Sequence, residues 1–267
     1  MNPVPIKNLG VACLTGSDTG AFLQSQLSAD IAVLQPGDAT FACYCTPRGQ
    51  VLGLLLVCRT EADYRLIAAM DLLEPIVTRL RMFVMRSKVE LAIEADLTVC
   101  GVTASTAVPG AFRPTGTNLH YLLLEKQDVV NDGPALFFKA EEICNRVVWL
   151  GPETSEKFIP QMLGFEELGA VSFSKGCYPG QEIVARARYL GKVKRKPVVV
   201  RSESELLPEP ATRVALRRGD EWLKGTVVDS APAENGGSCL FIIAPGEPEG
   251  ETVEIEVDEK RYRCATI

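Results

Sequence analysis

The feature that most constrains the fold is a change of texture after Gly191. Short runs of strand length follow one another: Val193 to Arg201, Val214 to Leu216, Glu221 to Val228, Cys239 to Ile243, Val253 to Val257 and Arg261 to Ile267. Proline and glycine clusters separate them, at Leu207-Pro208-Glu209-Pro210, at Asn235-Gly236-Gly237 and from Pro245 to Gly250. Proline withholds a ladder donor and glycine admits turn conformations, so such clusters end strands. Short, regularly spaced strands of this kind predict a small antiparallel barrel or sandwich.

Upstream the chain mixes helix and strand. Asn8 to Thr15 reads as a strand, and Ser17 or Asp18 as the cap of a helix with Phe22, Leu23, Leu27 and Ile31 on its apolar face. Ala39 to Cys45 and Val51 to Arg59 read as a hairpin joined by Thr46-Pro47-Arg48-Gly49-Gln50. A strand over Asp63 to Ala69 follows. A helix capped by Asp71 then runs to about Phe83, burying Leu72, Leu73, Ile76, Val77 and Leu80. Lys88 to Ala95 alternates as a strand with Val89, Leu91 and Ile93 inward.

A second unit starts with a strand at Leu97 to Thr103. It continues with a loop over Ala104 to Asn118, a strand over Leu119 to Glu125 and a turn at Asn131-Asp132-Gly133-Pro134. Ala140 to Trp149 fits helix or strand. A loop from Thr154 to Pro160 and a short helix over Gln161 to Leu168 complete the unit. The fold class is α+β followed by an all-β module.

The 267 residues suffice for a sizeable core, and 23% charged with 46% hydrophobic residues is ordinary for a globular protein. A net charge of −6 argues against a surface built wholly for nucleic acid. Apolar runs such as Val51 to Cys58 are too short to span a bilayer, and no leader pattern opens the chain, so no membrane partner and a cytoplasmic location are expected. Nine cysteines without a Cys-x-x-Cys pair point to reduced thiols, and Cys43-x-Cys45 is too close for a metal pair.

The densest chemistry lies in Ser174-Lys175-Gly176-Cys177-Tyr178-Pro179-Gly180-Gln181-Glu182-Ile183-Val184-Ala185-Arg186-Ala187-Arg188. Pro179-Gly180 is a turn signal. Gln181 to Leu190 reads as a helix stopped by Gly191, with Glu182 and Arg186 spaced to pair, although its alternation also fits a strand. An ammonium beside a thiol favours the thiolate, which would make Cys177 reactive or metal-competent. A tight turn with an inert thiol fits the same residues equally. The basic run Arg186, Arg188, Lys192, Lys194, Arg195, Lys196 and Arg201 suits a polyanion or a solvated face. His120, the single histidine, reads as structural. No phosphate-cradling, dinucleotide-binding or nucleophile-elbow motif is present.

Lys175-Gly176-Cys177-Tyr178-Pro179-Gly180-Gln181-Glu182, with Ala185-Arg186 following, resembles the signature of the YgfZ folate-binding proteins. Phe22 to Asp30, Pro47-Arg48-Gly49-Gln50, Arg86-Ser87-Lys88-Val89 and Phe158-Ile159-Pro160-Gln161 are similar to further segments of that family, while Ala104 to Val147 and the last barrel strands match weakly. The resemblance implies a T-protein-like fold. Residues 1–95 and 96–190 would form two α+β subdomains around a central channel, and residues 191–267 an antiparallel β-barrel. It implies binding of tetrahydrofolate or a one-carbon derivative, with Lys175, Tyr178, Gln181, Glu182, Arg186 and Arg48 at the channel. It also implies a role in assembly or maintenance of iron–sulfur proteins, indirectly supporting tRNA modification.

Cys177 would be the functional thiol, aided by Lys175, and at most a transient cluster ligand. The expected partners are folate and iron–sulfur client proteins, without direct nucleic-acid binding. The aminomethyltransferases of this fold carry acidic residues on the second hairpin strand. Gly49-Gln50-Val51-Leu52-Gly53-Leu54 has none, and an aspartate of their signature is Cys177 here. A classical aminomethyltransferase is therefore not expected. The alternatives are a folate-dependent one-carbon transferase and, third, an RNA-binding module.

Overall fold

The computed structural model describes residues 3–129, 135–191, 193–233, 236–246 and 250–267. The expected turn Asn131-Asp132-Gly133-Pro134, together with Lys192, Asn235 and residues 247–249 of the predicted barrel turns, lies outside the described residues.

The elements run β1 (Val4–Pro5), β2 (Leu9–Thr15), α1 (Thr19–Gln26), β3 (Ala39–Cys45), β4 (Val51–Arg59), β5 (Tyr64–Ala69), α2 (Met70–Val84), β6 (Glu90–Ile93), β7 (Leu97–Thr103) and β8 (Leu119–Glu125). They continue with α3 (Ala135–Cys144), α4 (Gln181–Tyr189), β9 (Arg195–Ser202), β10 (Arg213–Arg218), β11 (Glu221–Pro232), β12 (Ser238–Pro245), β13 (Thr252–Val257) and β14 (Lys260–Thr266). One sheet has the order β3-β4-β5-β2-β6, a second the order β1-β7-β8, and β10-β11-β12-β9-β14-β13 close into a barrel. The β1 strand therefore crosses into the second sheet, Val4 pairing with Gly101.

Alternation along β12 joins barrel and body. Leu240, Ile242 and Ala244 fill the barrel with Val200, Val214, Leu216 and Ile255. Cys239, Phe241 and Ile243 point the other way into the main core, beside Val199, Val228 and Ala231. A strand presents successive side chains to opposite faces, so one run of apolar residues serves two cores.

Four sequence expectations are corrected. The first helix ends at Gln26, and Leu27 instead bridges to Tyr44 beside the hairpin. Asp18 does not cap it, because its carboxylate accepts the Lys88 backbone N–H at 2.7 Å. Ile93 is exposed, at the last position of the edge strand β6, whereas Leu91 on the same face is buried. Gln161 to Leu168 holds only a 3-10 turn over Pro160–Leu163, closed by Gly164 in the left-handed region. The ambiguous Ala140 to Trp149 segment is the C-terminal half of α3 followed by extended chain.

Candidate functional site

The two segments singled out by chemistry, the hairpin tip and the signature turn, lie against each other. In the tip, the Gly49 N–H donates to the Thr46 carbonyl at 2.9 Å, and Gly49 has φ +73°. Gly180, with φ +82°, opens α4. A Cβ on Gly180 would stand 2.4 Å from the Thr46 carbonyl oxygen and 2.8 Å from both N and Cα of Gly49. Two backbones this close admit no side chain, so glycine at Gly180 is required by conformation and by space. Ile183 of α4 then covers Gly49.

Lys175 is only 9% exposed and points inward. Its Nζ donates to the carbonyls of Gln24 at 2.5 Å, Leu27 at 2.6 Å and Ala29 at 2.8 Å. The end of a helix leaves carbonyls without partners, and the last turn of α1 together with the chain just past it turns three of them onto one ammonium. Burial pulls the Lys175 pKa down to about 8, with Asp30 opposing. An ammonium has three donors, and all three are engaged. Lys175 therefore has no N–H left in this arrangement for the Cys177 sulfur or a ligand carboxylate. It clamps the segment after α1 to the signature. Ser28 reinforces the clamp, donating from Oγ to the Ala170 carbonyl at 2.6 Å and accepting the Cys43 N–H at 2.8 Å.

Around this clamp the other predicted residues divide by exposure. Tyr178 is buried, its ring 5.5 Å from the Lys175 ammonium, and its hydroxyl has no hydrogen-bond partner among the described residues. Burial raises its phenol pKa, with Cys45 and Cys43 adding to the shift. Cys177 is the exposed cysteine of the chain, while Cys144 is half-buried and the rest are buried. Gln181 is half-buried. Arg48 is exposed at the hairpin tip and makes no ion pair among the described residues. Glu182 and Arg186 are exposed and pair at 2.9 Å, a contact worth a few tenths of a kcal/mol. The helix reading of Gln181 to Leu190 holds, and the strand alternative does not.

The basic run is dispersed. Arg188 stacks 4.0 Å over Phe173 and reaches Glu166 at 3.5 Å. Arg201 lies on β9 near the Cys144 sulfur. A cleft of about 410 Å³ lies beside α4, bordered by Gln161, Glu166, Arg188 and Val199 but by none of the predicted site residues. Gln161 Oε1 and Glu166 Oε1 are buried there without hydrogen-bond partners among the described residues. His120 is buried on β8, its Nδ1 3.2 Å from the Asn118 carbonyl. Among the described residues no cluster of three metal-ligating side chains occurs, and no helix is long and apolar enough to cross a membrane.

Sequence reasoning missed the carbonyl clamp and the Ser28 bridge. Both join residues more than 140 positions apart, and no local pattern signals them.

No family model matches the chain. It is 27% identical to a tRNA-modifying protein YgfZ from Klebsiella pneumoniae (strain 342), over 91% of this chain and 85% of the relative. It is 26% identical to the protein of the same name from Aliivibrio fischeri (strain MJ11), over 90% of this chain and 83% of that one. Among solved structures it superposes on the glycine cleavage system aminomethyltransferase T from Bartonella henselae with a TM-score of 0.73 and 14% identity, covering 99% of this chain and 84% of that one. The chain is a distant relative, along some nine-tenths of its length, of the proteins named tRNA-modifying protein YgfZ, and it has the fold of the glycine cleavage T-protein.

Proposed function

We propose that this protein is a folate-binding accessory factor that maintains iron–sulfur proteins and thereby supports tRNA modification. The observation that carries the reading is the docking of the Lys175–Gly180 turn on a hairpin that has no carboxylate from Ala39 to Arg59. The turn resembles the YgfZ signature, and the superposed aminomethyltransferase supplies the fold analogy. Transferring a carbon unit from an amine needs a group that holds and deprotonates that amine, and the apolar hairpin lacks one.

The residues suit a reduced folate. Its ring system carries amide and amino groups, and its tail carries carboxylates. The unpartnered, buried Tyr178 hydroxyl suits the ring, and the exposed Arg48 suits the tail, which Arg186, Gln181 and Glu182 would border. Lys175 contributes by fixing the turn. Folate, when bound, supplies a carrier for one-carbon units. Cys177, exposed beside it, is the thiol that would meet the iron of a client's cluster, transiently, or exchange with a client thiol.

Titration calorimetry with tetrahydrofolate tests the first half. Saturable binding supports it, and absence of binding to any reduced folate ends it. Turnover with an aminomethyl donor separates this reading from a one-carbon transferase: none is expected.

A further inference from the structure

Two thiols meet where α3 crosses the outer face of the barrel. Cys144 closes α3, Cys239 lies at the start of β12, and their sulfurs are 3.6 Å apart. Arg201 sits directly across from Cys239 in the β9–β12 register, and its Nη2 lies 3.5 Å from the Cys144 sulfur. A guanidinium does not lose its proton, so this pair has a permanent cation beside it, which favours a thiolate.

The two sulfurs are within hydrogen-bond reach, and either can donate. The hydrogen bond with Cys144, helped by Arg201 and opposed by burial and Glu141, draws the Cys239 thiol down to about 6. The Cys144 thiol is driven up in turn, first by the same hydrogen bond. Cys58 and Cys100, by contrast, are buried thiols raised chiefly by desolvation.

Access differs between the two. Cys239 is 0% exposed, whereas Cys144 is half-buried. A cleft of about 530 Å³ lies alongside, bordered by Phe137, Ala140, Glu141, Arg201, Ser202 and Ala233. Ala140 and Glu141 occupy the α3 turn just before Cys144, so the cleft lies one helical turn from the half-buried sulfur.

We propose that Cys144 and Cys239 form a redox dithiol that a hydroperoxide entering this cleft converts to a disulfide, stapling α3 to the barrel. Cys239, the sulfur that favours the thiolate, accepts the Cys144 proton across the 3.6 Å contact as Cys144 attacks, so Cys144 reacts as its thiolate. It attacks the outer peroxide oxygen, the O–O bond breaks, and with one proton taken up an alcohol or water leaves, giving a sulfenic acid at Cys144. Cys239 then attacks that sulfur as a thiolate, the S–O bond breaks, and the departing hydroxide takes the proton Cys239 gave up. Two thiols and one hydroperoxide thus yield one disulfide, one alcohol or water, and one further water. The sulfurs must approach by roughly 1.5 Å to bond. The staple would fall on a seam already held by Lys139 of α3 and Asp229 of β11, 2.6 Å apart. The proposal is independent of the folate reading.

The test is peptide mapping of the full-length protein after one equivalent of hydrogen peroxide, alkylation and digestion without reductant. The expected result is a Cys144–Cys239 cross-linked peptide that reductant removes. If both cysteines stay fully alkylatable while Cys177 is oxidised, or if Cys144 proceeds to a sulfinic acid beside a free Cys239, the proposal is wrong. Arg201→Gln, checked for native circular dichroism, is expected to slow cross-linking roughly tenfold at neutral pH. An unchanged rate would contradict the role given to the cation. Should that variant not fold, the wild-type map alone decides.

Discussion

Replacing Lys175 by methionine isolates the clamp. The two side chains are similar in length and unbranched, so Lys175→Met leaves no large cavity. It removes the donors to the carbonyls of Gln24, Leu27 and Ala29, at 2.5, 2.6 and 2.8 Å. Hydrogen bonds from a charged donor contribute about 1.5–3 kcal/mol each, and a buried carbonyl left without a partner costs about 1–3 kcal/mol. The cost of withdrawing the ammonium from water, visible in its pKa of about 8, offsets part of this. The net expectation is a loss of about 3–5 kcal/mol, from three carbonyls left without a donor less that offset. Lys175→Arg should not rescue it, because a planar fork does not fit three converging carbonyls. Urea unfolding followed by tryptophan fluorescence reads the loss as a lowered midpoint at unchanged slope. A Met variant within 1 kcal/mol of wild type would refute the clamp and return Lys175 to the ligand or the thiol.

Gly180→Ala should cost about 2 kcal/mol or more and separate turn from hairpin, since its Cβ meets the Thr46 carbonyl at 2.4 Å in a left-handed conformation; thermal unfolding checks it. Glu142, 1% exposed, accepts from Tyr121 Oη and Trp149 Nε1 at 2.8 Å each, and burial raises its pKa from 4.5 to about 7. The folded state therefore binds the extra proton between those values, and the stability Glu142 contributes at acid pH is lost as pH rises through about 7. Relative to wild type, Glu142→Gln should gain about 3 kcal/mol between roughly pH 5 and pH 8, read from urea midpoints; a pH-independent difference would contradict this. Arg48→Ala should weaken tetrahydrofolate binding roughly tenfold by calorimetry without changing the melting temperature.

The hairpin was legible in the sequence to the residue at both strands, because two apolar runs of strand length flank the Pro47-Arg48-Gly49 tip. The barrel strands were legible as short runs of strand length cut by proline and glycine clusters. The end of α1 was not, because Leu27 is apolar in either conformation and only its bridge to Tyr44 decides. Lys175 was identified as important for a reason the structure changes. A thiol stands two residues away in sequence, but its spatial neighbours are carbonyls contributed from around α1. The Cys144–Cys239 pair, 95 positions apart, had no local signal at all.

The most direct test of the functional account is the activity of a [4Fe–4S] enzyme in cells lacking the native protein and supplied with the Cys177→Ala variant. The exposed thiol contributes little to the core, so the variant should accumulate, melt and bind tetrahydrofolate like wild type. The account predicts that the client enzyme nonetheless stays as impaired as in cells with no protein. Full restoration of the client by a stable Cys177→Ala protein would contradict it.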